Sequence, residues 1–435
     1  MSFLVAIVGR PNVGKSTLFN RITRSREAIV DEVSGVTRDN HYGTAVWEGK
    51  TFMVADTGGY VNNSDDVFEK EIQKHVVMAV DEADLILFMT DVTAGITRLD
   101  DSVAELLRRS GKKILPVVNK VDNNKRMGDT SEFYRLGLGE LFCISSINGN
   151  GAGDLLDEIA RHVPEKKKTV KTAIPGIAVV GRPNVGKSSF INLLLEEERC
   201  IVTPVPGTTR ASVDTHFNKF GFDFTLIDTA GLRKKQQVHE NIEFYSTVRT
   251  LRAIDRSDVC ILLLDATEGF TGQDTYIFRK IEEAMKGVVV AVNKWDLTGK
   301  GSPSRKDYER HLRGRMKPFD DVPFLFTSVI RKQRILDTLK AAADVYGRCG
   351  QQFSDDILDE TILPVIKSTP PPSVKGKMVK IYGMYQDKRN PKVFIVKSNV
   401  DRDIKESYIR FLENQLRENF SFTGVPLKLM FRKEL

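Results

Sequence analysis

The chain has 435 residues, of which 41% are hydrophobic and 28% charged, with a net charge of +7. That balance excludes a disordered or fibrous chain, and the length predicts two or three folded domains. No apolar run approaches the ~18 residues of a membrane span, and the first residues lack the basic-then-apolar pattern of an export signal. The four cysteines, Cys143, Cys200, Cys260 and Cys349, lie far apart. They argue against a zinc site or a disulfide framework and for buried thiols in a reducing compartment.

In chain order, Phe3–Val8 is an unbroken apolar run that reads as a buried strand, and Leu18–Ile22 has the spacing of an amphipathic helix start. Between them stands Gly9-Arg10-Pro11-Asn12-Val13-Gly14-Lys15-Ser16. This fits G-x-x-x-x-G-K-[ST], the phosphate-binding loop, and strand, loop and helix in that order are its proper setting. The glycines let backbone N–H groups turn inward on a phosphate chain, the lysine reaches the terminal phosphates, and the serine hydroxyl is placed for Mg²⁺. The next helix aims its positive end at the same anion. Further on come Gly35-Val36-Thr37-Arg38 and Asp56-Thr57-Gly58-Gly59. Leu85–Met89 and Ile114–Val118 read as strands, Val103–Arg109 as helix, and Asn119-Lys120-Val121-Asp122 follows the second of those strands directly. An aspartate at such a sheet edge can accept both N1–H and N2–H of guanine. Adenine lacks that donor pair, so a site built on it can reject the wrong base by ~10⁴-fold.

Residues 164–175, with Lys166-Lys167-Lys168, are short and polar and read as a linker. The pattern then repeats. Gly176–Val180 and Phe190–Leu194 flank Gly181-Arg182-Pro183-Asn184-Val185-Gly186-Lys187-Ser188, identical to the first loop and 172 residues later. At the same spacing come Gly207-Thr208-Thr209-Arg210 and Asp228-Thr229-Ala230-Gly231. Val259–Leu264 and Val288–Val292 read as strands and Tyr276–Met285 as helix, and Asn293-Lys294-Trp295-Asp296 recurs two residues out of phase. This is a duplicated domain of roughly 160–175 residues. Strands alternating with helices predict doubly wound, mostly parallel α/β sheets with the phosphate loops at their carboxyl ends.

A second boundary falls near residues 347–354, and Pro364 and Pro370-Pro371-Pro372 break the pattern beyond it. Met378–Tyr382, Val393–Val396 and Leu427–Phe431 then read as strands and Tyr408–Phe420 as helix, a small α+β module. Residues 362–435 carry 15 Lys+Arg against 7 Asp+Glu, so the basic excess of the whole chain sits there. A polyanion partner is one reading of that excess, a solvated face the other.

With these motifs in place the chain resembles the translation-factor-like GTPases. The resemblance implies that Asp56 and Asp228 hold Mg²⁺ through water beside Ser16 and Ser188. It implies that Thr37 and Thr209 close on Mg²⁺ when GTP is bound, and that Gly59 and Gly231 sense the γ-phosphate. Ser145-Ser146 and Ser328-Val329 stand where the family backs the guanine with an S-A loop, with the alanine replaced in both copies. Tyr60 and Leu232 follow D-x-x-G, where GTPases that orient the attacking water with a side chain use glutamine. In similar bacterial GTPases an asparagine at the position of Asn12 or Asn184 helps coordinate K⁺; the alternative is that each caps its loop locally.

Two such domains and a small basic module resemble, over essentially the whole chain, the bacterial double-GTPase ribosome-assembly factors called Der or EngA. The likeness includes residues 243–254, Asp265-Ala-Thr-Glu-Gly269, 370–376, 380–382 and 407–420. It implies tandem P-loop GTPase domains at 1–164 and 176–349, a linker at 165–175 and a KH-like domain at 350–435. It further implies Mg²⁺ and K⁺ as cofactors and GTP and GDP as ligands, with Lys15, Thr37, Lys187 and Thr209 serving catalysis. The partners it implies are the 50S subunit or its precursors and rRNA, not DNA, for a cytoplasmic monomer. Ala211 stands where the family often has aspartate, and the linker is basic where the family's is often acidic. The last domain has no G-x-x-G, so RNA contact is expected from Lys375, Lys377, Lys380, Lys388, Arg389 and Lys392 rather than from a KH clamp. Docking of that module on the GTPase domains is the other reading. The competing functions are a GTPase switch acting only through protein partners, in signalling or tRNA modification, and an ATP-dependent metabolic enzyme.

Overall fold

The computed structural model describes residues 3–23, 42–57, 76–77, 79–164, 174–196, 214–229, 243–299, 303–374 and 376–433. The chain divides into two compact units, Met1–Lys171 and Thr172–Leu435.

In the first unit, β1 (Phe3–Val8) runs into α1 (Lys15–Thr23), followed by β2 (Tyr42–Trp47), β3 (Lys50–Asp56) and β4 (Leu85–Asp91). Then come α2 (Arg98–Arg109), β5 (Lys113–Asn119), α3 (Asn124–Asp129), β6 (Phe142–Cys143) and α4 (Ala152–His162). The sheet order is β2-β3-β1-β4-β5-β6, and only β2 is antiparallel. β4 is buried along its whole length, as expected of a strand covered on both faces. Val5, Ile7, Leu18, Val54, Leu87, Val117 and Ile159 are wholly buried in one core.

The second unit repeats this plan and extends it. Its elements are β7 (Gly176–Val180), α5 (Lys187–Glu196), β8 (Thr215–Lys219), β9 (Phe222–Leu226), α6 (Glu243–Arg256), β10 (Val259–Asp265), α7 (Gly272–Glu283) and β11 (Gly287–Asn293). α8 (Arg305–Met316), β12 (Phe324–Phe326) and α9 (Ile335–Cys349) complete the six-stranded sheet, ordered β8-β9-β7-β10-β11-β12. α10 (Asp355–Ser368), β13 (Ile381–Asp387), β14 (Asn390–Ser398), α11 (Glu406–Asn419) and β15 (Lys428–Lys433) form a three-stranded module. In it β14 pairs antiparallel with β13 and parallel with β15.

No break in packing separates this module from the second six-stranded sheet. One core runs from Val259 and Val289 through Leu339 and Val345 of α9 to Leu358, Phe394 and Leu412. Gly424 seals the joint: its N–H donates to Asp321 O at 2.8 Å and its carbonyl accepts Val288 N–H at 2.8 Å. A Cβ there would lie 2.6 Å from Val345, at a φ of +82° that side chains rarely adopt. Lys392 Nζ donates to Met285 O in the turn between α7 and β11, so this expected phosphate ligand is turned toward the GTPase-like part of the unit. Lys377, Lys380, Lys388 and Arg389 are exposed.

Two expectations need correction. Pro364 lies inside α10 rather than ending it. The first strand of the module begins at Ile381, not Met378. Asn399 explains the shift: its side chain accepts Lys380 N–H at 2.8 Å and donates to Met378 O at 2.9 Å, satisfying that backbone without a ladder.

Candidate nucleotide-binding sites

Each phosphate loop is drawn tight because no side chain fits at its glycines. Gly9 and Gly181 have φ of +153° and +147°, and a Cβ would collide with the carbonyl oxygens of Met89 and Leu263 on the neighbouring strands. Gly14 and Gly186 face Asn119 and Asn293 as closely. Asn12 and Asn184 both take φ of +64°, the left-handed conformation that asparagine tolerates, and both are exposed at the loop tip. Pro11 and Pro183 are half-buried beside them, while Val13 and Val185 are buried beneath the loop.

The lysines sit inside their loops. Lys15 Nζ donates to the carbonyls of Gly9 and Arg10, both at 2.8 Å. Lys187 Nζ does the same to Gly181 at 2.7 Å and Arg182 at 2.6 Å. Burial pushes Lys15 down to about 8, with Asp56 pulling it up and Arg10 pressing it down.

Asn119 and Asn293 tie the phosphate end of each site to the base end. Asn119 Nδ2 donates to Val13 O at 2.7 Å, and its Oδ1 accepts Ser146 N–H at 2.9 Å. Asn293 repeats this with Val185 O at 2.8 Å and Val329 N–H at 3.1 Å. So the two serine-containing loops stand at equivalent places, though only the first spells serine at that second position. Asp122 accepts from Ser145 Oγ at 2.6 Å and from Arg126. Asp296 faces Arg331 at 3.7 Å, while Ser328 Oγ accepts Arg331 N–H at 3.1 Å. Val121 is buried and Trp295 packs edge-on against Phe326 at 4.5 Å, so hydrophobic contacts anchor both turns.

The sites differ where D-x-x-G begins. Asp56 is the last residue of β3, paired with Ile7, and accepts Ser16 Oγ at 2.6 Å. Thr57 Oγ1 donates to Ile7 O at 2.8 Å. In the second copy β9 ends at Leu226. Asp228 takes φ of +57°, its N–H donates to Asp214 Oδ1 at 3.1 Å, and Asp214 is ion-paired with Arg256. Thr229 and Thr215 share a hydroxyl hydrogen bond of 2.8 Å. Thr37, Gly58, Gly59, Tyr60, Thr209, Ala230, Gly231, Leu232 and Lys375 lie outside the described residues.

One constellation was not expected from the sequence. Asp91 and Asp100, with Thr93 and Thr97, recur as Asp265 and Asp274 with Thr267 and Thr271, a D-x-T-x-G-x-T-x-x-D pattern at the spacing of the N-K-x-D repeat. Asp100 and Asp274 each close a capping box on the helix that follows. The loop arginines lie against them, Arg10 Nε 3.4 Å from Asp100 and Arg182 Nε 3.3 Å from Asp274. The pattern is legible in the sequence as one more motif repeated at the spacing of the N-K-x-D turns.

Comparison with known proteins sets these paired sites in a family. Residues 4–120 and 176–294 both match the family model described as 50S ribosome-binding GTPase. Residues 352–432 match the KH-domain-like C-terminal region of EngA bacterial GTPase enzymes. The chain is 51% identical over 434 residues to a GTPase Der of Christiangramia forsetii, covering 100% of both proteins. It is 53% identical to a GTPase Der of Flavobacterium johnsoniae, covering 99% of both. The chain belongs to the Der GTPase family. Its fold is therefore two tandem P-loop GTPase domains with a KH-like domain after them, and it is a GTP-binding protein. Among the described residues no helix is long and apolar enough to cross a membrane.

Ser16 and Asp56 present a hydroxyl and a carboxylate in contact, a hard oxygen pair suited to Mg²⁺. Asn12 and Asn184 each hold an amide group at the exposed tip of their own phosphate loop.

Proposed function

We propose that this chain is a GTP-hydrolysing switch in ribosome biogenesis, acting in assembly and maturation of the 50S subunit. The observation that carries this reading is the family match of both GTPase domains and of the KH-like module in one chain. The concentration of positive charge in residues 362–435, with Lys377, Lys380, Lys388 and Arg389 exposed, supports rRNA as the surface it meets. Domain bounds of 1–164, 176–349 and 350–435, with a linker at 165–175, go with this reading.

At each site Lys15 or Lys187 would leave its loop carbonyls for the β- and γ-phosphates, and Asp122 or Asp296 would select guanine. Ser16 and Ser188, with Asp56 and Asp228 and with Thr37 and Thr209, would hold Mg²⁺, which neutralises phosphate charge. Asn12 and Asn184 would help hold K⁺, whose fixed charge stabilises the transition state. Turnover is then expected to be faster in K⁺ than in matched Na⁺, and Asn12→Asp or Asn184→Asp should alter that preference. Equal turnover in both salts would contradict the K⁺ assignment.

A nucleotide moves domains only through different affinity for two arrangements. Sedimentation of cell extract with the protein loaded with a non-hydrolysable GTP analogue or with GDP tests the reading. Co-sedimentation with 50S-sized particles that differs between the two nucleotides is expected. Equal association in both states, or association with protein complexes alone, would overturn it.

A further inference from the structure

In both sites the N-K-x-D lysine is held by a carboxylate at the equivalent strand end. Asp91 is the last residue of β4 and pairs in register with Asn119 on β5. Asp265 is the last residue of β10 and pairs in register with Asn293 on β11. Lys120 and Lys294 come immediately after, at left-handed φ of +65° and +58°. Lys120 Nζ meets Asp91 Oδ2 at 2.6 Å, and Lys294 Nζ meets Asp265 Oδ2 at 2.6 Å. The other oxygen is occupied alike in both copies. Asp91 Oδ1 accepts Thr93 N–H at 2.9 Å and Thr93 Oγ1 at 2.7 Å. Asp265 Oδ1 accepts Thr267 N–H at 2.9 Å and Thr267 Oγ1 at 2.6 Å.

We infer that Asp91 and Asp265 are positioning residues for guanine binding: each fixes the ammonium of its N-K-x-D lysine so that the lysine stem stands ready beside the base-selecting aspartate. The inference rests on the reading of Asp122 and Asp296 as guanine ligands. Three features favour it over a purely structural loop contact. The carboxylates are almost wholly buried while the lysine stems stay about one-third exposed, so the fixed partner is the acid and the presented one the lysine. Burial pushes both carboxyls up, yet the lysine and threonine donors outweigh it and hold each below the ordinary carboxylate range, so the charge persists at neutral pH. A free lysine side chain loses about 1.5–2 kcal/mol of rotamer freedom on ordering, and here the protein's own carboxylate supplies that ordering. In the first site Asp91 also lies 3.9 Å from Arg10 of the phosphate loop, linking the two ends of the nucleotide cleft.

The test uses the full chain with the second site silenced by Lys187→Ala and a fluorescent GDP derivative as probe. Asp91→Asn keeps an oxygen for Thr93 and removes the charge that holds Lys120 and faces Arg10; Lys120→Met keeps the stem, removes the ammonium and leaves the Arg10 contact in place. Each is expected to weaken GDP binding about tenfold, and the double variant to be no weaker than the poorer single one, because both act through one contact. Asp265→Asn and Lys294→Met in a Lys15→Ala chain should behave alike. Unchanged or tighter binding in both Asp→Asn variants, or losses that multiply to about a hundredfold in the doubles, would overturn the inference alone. A parent that binds no guanine nucleotide would overturn the guanine reading and this inference with it.

Discussion

The two nucleotide sites agree in the glycines, lysine and asparagine that shape the phosphate loop and part company at the aspartate that opens D-x-x-G. Asn119 and Asn293 make matching bonds, and both loop lysines sit on the same pair of carbonyls. Asp56 nevertheless ends a strand in contact with Ser16, whereas Asp228 has left its strand for the Asp214–Arg256 pair. At the matching positions the first copy carries Tyr42 and, by the spacing of the N-K-x-D repeat, Glu82. A tyrosine and a glutamate cannot form an acid–arginine pair, so the second site ties the Asp228 backbone to an ion pair that the first copy's residues cannot make.

The shared part should break equally. Asn119→Ala and Asn293→Ala each leave a loop carbonyl and a buried N–H without a partner, at about 1–3 kcal/mol apiece. Each should therefore lower nucleotide affinity at its own site by roughly a hundredfold or more, read by fluorescent GDP titration of the full chain with the other site silenced. A large loss at one site and none at the other would end the equivalence.

Proton linkage gives the next effect. Lys15 is held down at about 8 by burial, and phosphate needs its charge. Affinity at the first site should fall about tenfold per pH unit above 8. The free protein gains from the same group in the opposite sense. The unfolded lysine binds its proton up to about 10.4, so this contribution to stability rises as pH goes from 8 toward that value. Affinity at the first site that stays flat from pH 7 to 9.5 would contradict the placement of Lys15.

The distinguishing part should show the smallest but most site-specific change. Asp214→Ala removes both the partner of Arg256 and the acceptor of the Asp228 amide. It should raise affinity for Mg²⁺-bound GTP over GDP at the second site several-fold and leave the first site untouched. Equal changes at both sites would show that Asp214 does not set the position of Asp228.

Legibility in the sequence followed the kind of constraint involved. The loops, the buried strands and the N-K-x-D turns were legible because they depend on backbone geometry that only glycine, β-branched runs and short polar turns satisfy. Strand ends came out longer in the structure, Leu85–Met89 extending to Asp91 and Val288–Val292 to Gly287–Asn293, because their last residues are polar and carry the site. Pro364 read as a breaker because proline removes a helical donor, yet Leu358, Ile362 and Ile366 bury the helix face on either side of it. Asp91, Asp100 and Asp214 were not read as site residues because their meaning lies in side-chain contacts across strands. Of the D-x-T-x-G pattern only the second copy, Asp265 to Gly269, was read, and without its partner it carried no role.

The central claim is that the chain holds two guanine pockets, each selected by its own aspartate. Calorimetric titration of the nucleotide-free full chain with GDP and with ADP tests it most directly. Two GDP per chain are expected, one remaining after Asp122→Asn or after Asp296→Asn, and no ADP at the same concentrations. Binding of ADP as readily as GDP, or two GDP retained in both variants, would contradict it.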